Sequence, residues 1–324
     1  MCQTKSSLFN SSTFNFSTMK RYAVIDLGTN TFHLLIVEHG SNGEMLELDR
    51  ERRFVKLGEE GIKTLGTAAY ERGMQTIVDF KARLGEYGVE KVRAFGTAAL
   101  RTASNGPAFT REVEERTGIE VTMIPGEEEA RLIHLGVTQA IPAFSQRALI
   151  MDIGGGSVEF ILADDHRVFW AQSFPIGVAV LFKTFHHSDP ISVVEVEMVR
   201  EHLAAVLTPL RETLQQYPAT LLIGASGTFD VLEAALGAVK VNANHSRFPV
   251  EGFYPFFRKL LPTTVRERLA MPEVPADRAD MIIMALILVD YVLNLAPFRE
   301  VLVSSYALKE GMLVELIKAA AEGR

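Results

Sequence analysis

The chain has 324 residues, 48% apolar and 23% charged, which is enough for two domains with their own cores and excludes a generally disordered protein. Its formal net charge of -7 argues against a surface built for nucleic acid, so an anionic substrate would need a local basic cleft or metal ions. A single cysteine, Cys2, excludes a disulfide framework and a thiolate metal cluster, and makes a reducing cytoplasm the natural compartment.

Residues 1–18 are rich in Ser, Thr, Asn and Phe, lack the apolar core of a signal peptide, and read as a disordered tail, with Met19 as an alternative start. Tyr22 to Ile25 then forms a short apolar strand ending in Asp26-Leu-Gly-Thr-Asn-Thr, and Phe32 to Val37 resumes as a second strand. Glu47 to Leu57 reads as a strand carrying Arg50, Arg52, Arg53 and Lys56, either a solvated edge or a contact for a phosphate chain. The spacing predicts a helix over Thr67 to Tyr87, a strand over Lys91 to Phe95 and, after Gly96-Thr-Ala-Ala-Leu-Arg101, a helix over Phe109 to Thr117. Arg101 has two readings, a guanidinium fork aimed at phosphate or a surface arginine near a helix start. The strand Glu120 to Ile124 leads into Pro125-Gly126-Glu127-Glu128-Glu129, where the carboxylates either complement a helix dipole or include one that orients a water.

Ala148 to Leu162 repeats the plan of the first hairpin: an apolar strand, Asp152, Gly154-Gly155-Gly156-Ser157, and a second strand carrying Glu159. Glycines let successive backbone N–H groups converge on an anion, and Asp152 beside them suits a hard divalent cation. Repetition at a domain's distance predicts duplicated lobes whose loops face each other across a cleft. Val168 to Phe174 is a further strand, Gly177 to Phe185 a helix, and His186-His187 surface residues with no third ligand. Ser192 to Gln216 is a long amphipathic helix that Pro209 should kink or end. Leu221 to Phe229 repeats the theme a third time, with a helix from Thr228 whose N–H groups suit another anion. Asn244 to Val274 reads as loops and short helices, Met281 to Leu295 as a buried helix too short to span a bilayer, Val301 to Ser304 as a strand and Leu308 to Ala321 as the last helix. The sequence has no Gly-x-x-x-x-Gly-Lys-Ser/Thr, His-Glu-x-x-His or Cys-x-x-Cys, which excludes an ordinary P-loop enzyme and leaves a zinc hydrolase unsupported.

Taken in order, Asp26-Leu-Gly-Thr-Asn-Thr-Phe-His-Leu-Leu, Gly96-Thr-Ala-Ala-Leu-Arg, Gly126-Glu-Glu-Glu-Ala-Arg-Leu, Asp152-Ile-Gly-Gly-Gly-Ser-Val-Glu and Ala225-Ser-Gly-Thr resemble the exopolyphosphatase and guanosine pentaphosphate phosphatase family. The resemblance implies an α/β fold of two ribonuclease-H-like, actin-like ATPase lobes with an interlobe active-site cleft. The first lobe would cover residues 19–124, completed by a C-terminal helix over 306–324, and the second residues 125–305. It implies Mg2+-dependent release of terminal phosphate from polyphosphate or guanosine pentaphosphate by a cytoplasmic homodimer, with no nucleic-acid or membrane partner. Glu129 maps to the water-directing glutamate, and Asp152, Glu159 and Asp26 to the magnesium and attacking water. Thr29, Asn30, Arg101, Gly154, Gly155, Gly156, Ser157, Ser226, Gly227 and Thr228 map to the phosphate cradle.

The chain departs from the family pattern in four places. Val158 replaces a threonine, which predicts a missing hydroxyl beside the nest and weaker phosphate affinity. Ile282-Ile-Met-Ala replaces glycines after Asp277-Arg-Ala-Asp-Met, a matter of helix packing. Leu308-Lys-Glu-Gly replaces Leu-Arg-Glu-Gly, a change at a surface contact. The sequence stops at Arg324, so the extra C-terminal domains of longer relatives are expected to be missing, which would favour short polyphosphates. Two rival functions remain: a sugar or acetate kinase of the same superfamily, and a non-catalytic sensor of guanosine penta- or tetraphosphate.

Overall fold

A computed structural model describes residues 19–323 apart from 41, 42, 142, 143, 145 and 165, so the predicted tail lies outside the described residues. The first lobe runs β1 (Lys20–Leu27), β2 (Thr31–His39), β3 (Met45–Phe54), α1 (Thr67–Glu86), β4 (Lys91–Gly96), α2 (Ala98–Thr102), α3 (Gly106–Thr117) and β5 (Val121–Met123), and α4 (Gly126–Ala140) follows as the link to the second. Its sheet has the order β3-β2-β1-β4-β5, with β1 antiparallel to β2 and parallel to β4. The core beneath is apolar where the pattern demands it, with Ile25, Phe32, Ile36, Ile77, Phe80 and Phe109 fully buried. α3 stops at Gly118, whose φ of 69° a residue with a Cβ adopts at a cost.

The second lobe continues as β6 (Ala148–Ile153), β7 (Val158–Ala163), β8 (Val168–Phe174), α5 (Val178–Phe185), α6 (Val193–Val206), α7 (Thr208–Gln216), β9 (Leu221–Ala225), α8 (Gly227–Ala235), β10 (Val239–Lys240), β11 (His245–Pro249), α9 (Phe253–Leu260), α10 (Val265–Leu269), α11 (Ile282–Leu293) and β12 (Glu300–Ser304), after which α12 (Leu308–Ala321) returns to the first sheet. Its sheet is ordered β10-β11-β12-β9-β6-β7-β8. Removing β10 and β11 leaves β12-β9-β6-β7-β8, the order of the first sheet, with the same antiparallel hairpin and parallel crossovers. The two lobes are therefore copies of one ribonuclease-H-like plan.

One local expectation changes and one is met. The stretch 244–274 contains a sheet strand, β11, paired antiparallel with β12; its His-Ser-Arg-Phe-Pro sequence is too polar and too short to show alternation. The predicted long helix is two, α6 and α7, separated at Leu207 with Pro209 in the first turn of α7, where its missing N–H costs nothing. α11 is buried on all sides and spans only about 18 Å at 1.5 Å per residue. Its Asp290 is paired with Arg200 at 3.1 Å. No helix among the described residues is long and apolar enough to cross a membrane.

Helices α4 and α12 fill the space between the sheets. α12 packs on β1 and on α4, while α4 also packs on β7 and β8. The two helices cross backbone to backbone at a glycine pair. A Cβ on Gly311 would stand 1.9 Å from the Leu132 carbonyl oxygen, and one on Gly136 would stand 2.0 Å from that of Ala307. α4 carries Glu129 at its start and α12 carries Lys309, so this crossing fixes both relative to the sheets.

Candidate active site

The duplicated hairpins meet at the mouth of the interlobe cleft. In the first turn the Gly28 N–H donates to the Thr31 carbonyl at 3.1 Å; in the second, the Gly154 N–H donates to that of Ser157 at 3.0 Å. The cross-strand partners are equally placed: Asp26 faces His33 on β2, and Asp152 faces Glu159 on β7. The turns touch. A Cβ on Gly155 would lie 2.9 Å from the Asn30 amide carbon, and one on Gly156 would lie 2.5 Å from Thr29 Oγ1. These glycines thus let the first lobe approach as well as offering their N–H groups.

The cleft between them encloses a cavity of about 150 Å³. A single water needs only about 10–15 Å³ of such space, so the cavity has room for a phosphoryl group with some solvent. Asp26, Thr29, Asn30, Glu129, Asp152, Gly154, Gly155, Gly156, Ser157, Glu159, Ser226 and Gly227 all line it. Arg101 and Thr228 do not. Arg101 stands behind Glu129, donating from Nη1 to Glu129 Oε2 at 3.2 Å and to the Ile124 carbonyl at 2.6 Å, and it faces an adjoining groove shared with Gly156 and Ser157. Thr228 is buried and borders a neighbouring pocket with Lys56 and Asp280.

The structure separates the three glutamates at the start of α4. Glu127 is exposed, Glu128 pairs with Arg131 at 2.7 Å, and Glu129 is buried. Burial, and next the charge of Glu159, push the Glu129 carboxyl well above the usual range, against the pull of Arg101. Burial likewise raises Glu159 to about 7, with Asp152 adding to it, although Ser173 Oγ donates to Glu159 Oε1 at 2.6 Å. Asp26 rises to about 7 and Asp152 to about 6 through burial, opposed for Asp26 by Lys309 and for Asp152 by the Ser226 hydroxyl and then Lys309. Ser226 holds that bond from φ 70°, a conformation that a serine adopts only at a cost.

Among the described residues no three Asp, Glu, His or Cys side chains converge as a protein-made metal cage. The oxygens Asp26 Oδ1, Thr29 Oγ1 and Asn30 Oδ1 are nevertheless buried without a hydrogen-bond partner. Hard, unsatisfied oxygens beside a phosphate-sized cavity fit Mg2+, which uses one or two carboxylates and takes its other ligands from phosphate and water.

Three expectations fail on contact with the structure. Val158 is fully buried in the second lobe's core; side chains alternate along β7, so with Glu159 facing the cleft Val158 faces away, and a hydroxyl there would not reach the nest. Lys309 is no surface contact but lines the cavity. His186 is half-buried, both ring nitrogens enclosed without a partner, its ring edge-on to Phe182 at 4.7 Å. Of the basic residues on β3, only Arg52 reaches the cleft; Arg50 pairs with Glu47 and Glu310, and Arg53 with Glu51. Just beyond the strand, Lys56 pairs with Asp280.

Sequence reasoning missed His33, Asp230, Arg278 and Lys309 as cleft residues. His33 was detectable, because it follows Asp26 by the same seven positions that separate Glu159 from Asp152. Arg278 lies in the Asp277-Arg-Ala-Asp-Met match, but nothing in that match tells that its guanidinium reaches the cleft by lying on Gly227, where a Cβ would come within 2.1 Å of Nη2.

Comparison with solved structures agrees with this geometry. An exopolyphosphatase from Cytophaga hutchinsonii is similar over 93% of this chain and 98% of its own, at 37% identity and a TM-score of 0.88. The Ppx/GppA family member of Aquifex aeolicus is similar over 93% of this chain and 99% of its own, at 26% identity and a TM-score of 0.77. An exopolyphosphatase-like protein matches 92% of this chain and 98% of its own, at 26% identity and a TM-score of 0.82. Residues 35–320 match the profile of the Ppx/GppA phosphatase family, and as that span covers most of the chain, the chain belongs to this family.

Proposed function

We propose that the chain is a magnesium-dependent phosphoanhydride hydrolase that releases terminal phosphate from inorganic polyphosphate, and from guanosine pentaphosphate as a poorer substrate. One observation carries the reading: Glu129, Glu159 and Asp152 are buried, and Asp26 lines the same cavity, around two facing anion-cradling turns, with Arg101 holding Glu129. The N–H groups of the turn at Gly154 to Ser157, with Thr29 and Asn30 opposite, receive the terminal phosphoryl oxygens. Glu129 orients a water and accepts its proton; a carboxylate whose proton affinity is raised by burial is a stronger base than one in water. The water oxygen bonds to phosphorus, the phosphoanhydride P–O bond breaks, and the leaving phosphate keeps the electron pair. Arg101 is a positioning residue that keeps Glu129 aimed and favours its ionised form. Mg2+ held by Asp26 and Asp152, with Glu159 nearby, would neutralise charge on the phosphoryl oxygens when bound.

Among the described residues, the cavity lining offers hydrogen-bonding and charged groups rather than a Phe, Tyr or Trp for a guanine to stack on, which favours the inorganic chain. Phosphate release from polyphosphates of several lengths, guanosine pentaphosphate and ATP, with and without magnesium, tests the reading. Glu129→Gln should fold normally and lose about 10²- to 10⁴-fold in turnover. Retained activity in that variant would remove Glu129 from the mechanism.

A further inference from the structure

Lys309 is the second residue of α12, and its side chain is 16% exposed. It lines the same cavity as Asp26, Asp152 and Asp230. Its neighbour Glu310 does not use it up. Lys309 Nζ stands 3.5 Å from Glu310 Oε1, longer than an ordinary N–H···O bond, and that oxygen already accepts from Arg50 Nη1 at 2.9 Å. The other oxygen, Oε2, accepts the backbone N–H of Ala307 at 2.8 Å. An ammonium carries three donors, so this one retains capacity for a ligand in the cavity.

Charge balance gives that capacity a use. Among the described residues, the lining holds five carboxyl groups and three cations, so an anionic substrate depends on the few positive groups that reach it. Of those cations, Arg52 faces Asp277 at 3.4 Å and Arg278 faces the same carboxylate at 3.7 Å, both outside the aspartate floor. Lys309 is not drawn off to Asp277: its ion pair among the described residues is the long one to Glu310, and it lines the cavity together with Asp26, Asp152 and Asp230.

We propose that Lys309 is a further substrate-binding residue, whose ammonium donates to a non-bridging oxygen of the phosphoryl group in the cleft; the role rests on the hydrolase reading above. A point charge with rotatable donors can follow the phosphate as its geometry changes, whereas a guanidinium fork at the same place would bind it in one orientation. The test compares the parent chain with Lys309→Met and Lys309→Arg, using inorganic tripolyphosphate as the probe. Phosphate release is measured with magnesium, and binding by calorimetry without it. Lys309→Met should raise KM and weaken metal-free binding by about ten- to a hundredfold, the range for a lost charge-assisted hydrogen bond, with a smaller change in kcat. Lys309→Arg should recover most of both losses, which a purely structural role would not require. Lys309→Gln serves the same comparison should the methionine variant not fold. Parental KM and binding in the neutral variants, or an arginine variant no better than them, overturns the proposal. A parent that binds tripolyphosphate but releases no phosphate overturns the hydrolase reading alone, and calorimetry on the variants then still decides Lys309. A parent that does not bind overturns both.

Discussion

Replacing Gly311 by alanine puts a single methyl group where α12 meets α4. The new Cβ would stand 1.9 Å from the Leu132 carbonyl oxygen and 3.2 Å from the Gly136 nitrogen, both backbone atoms that cannot rotate away. Restoring an ordinary contact of about 3.5 Å requires the helices to part by about 1.5 Å at the crossing. Overpacking of this kind costs about 1–3 kcal/mol, a fall in unfolding midpoint of about 2–4 °C for each. Glu129 lies seven residues before Gly136, about 10 Å along α4, so part of the displacement reaches it, and a misplacement of about 1 Å is worth about a hundredfold in rate. Thermal unfolding and phosphate release measure the two effects together. Gly85→Ala is the control: it lies in α1 with nothing within 4 Å of the added methyl, and should stabilise by up to about 1 kcal/mol. An unfolding midpoint and activity unchanged in Gly311→Ala would refute the close crossing.

Stability should fall as pH rises from about 5 to 8 without added metal. Asp26, Asp152 and Glu159 have pKa values near 7, 6 and 7 when folded, above those of the unfolded chain, so their contribution is full below about pH 4 and lost through that window. Calorimetric midpoints across the range check this, and a midpoint that climbs from pH 5 to 8 contradicts it; millimolar magnesium should flatten the slope. Val158→Thr should leave phosphate affinity unchanged and cost about 1–3 kcal/mol for a buried hydroxyl without a partner, so tighter substrate binding in that variant would return Val158 to the site. Ser226→Gly should relieve a positive φ while removing the hydroxyl bonded to Asp152. Its unfolding midpoint should hold or rise while turnover drops; unchanged turnover would show that the bond is dispensable.

The sequence carried the hairpins because their chemistry is local: Asp-x-Gly followed by small polar residues is both the turn and the cradle. Duplication was also visible, and with it the two-lobed plan that the sheet orders share. Val158 was misjudged although its sequence held the answer, since strand alternation puts Val158 and Glu159 on opposite faces. Glu129 could be chosen among three glutamates only by resemblance, because burial depends on how α4 rotates against β7 and β8. Lys309 was out of reach for a different reason. Nothing within Leu308-Lys-Glu-Gly tells that the last helix returns between the sheets with its first turn facing Asp26 and Asp152.

The slot across from the aspartate changes its chemistry between the paired hairpins: His33 stands where the second copy has Glu159. Burial, with Lys309 and three arginines around it, depresses His33 well below the ordinary imidazole range, so it is uncharged at neutral pH. Had both copies kept an acid, the two walls would repel an incoming phosphate alike. A repeated unit with one silent copy instead makes the cleft one-sided: proton-accepting on the wall of the second lobe, electrically quiet beside Asp26 on the first. The asymmetry gives a symmetric architecture a direction, and a His33→Glu substitution would erase it with the change of a single side chain.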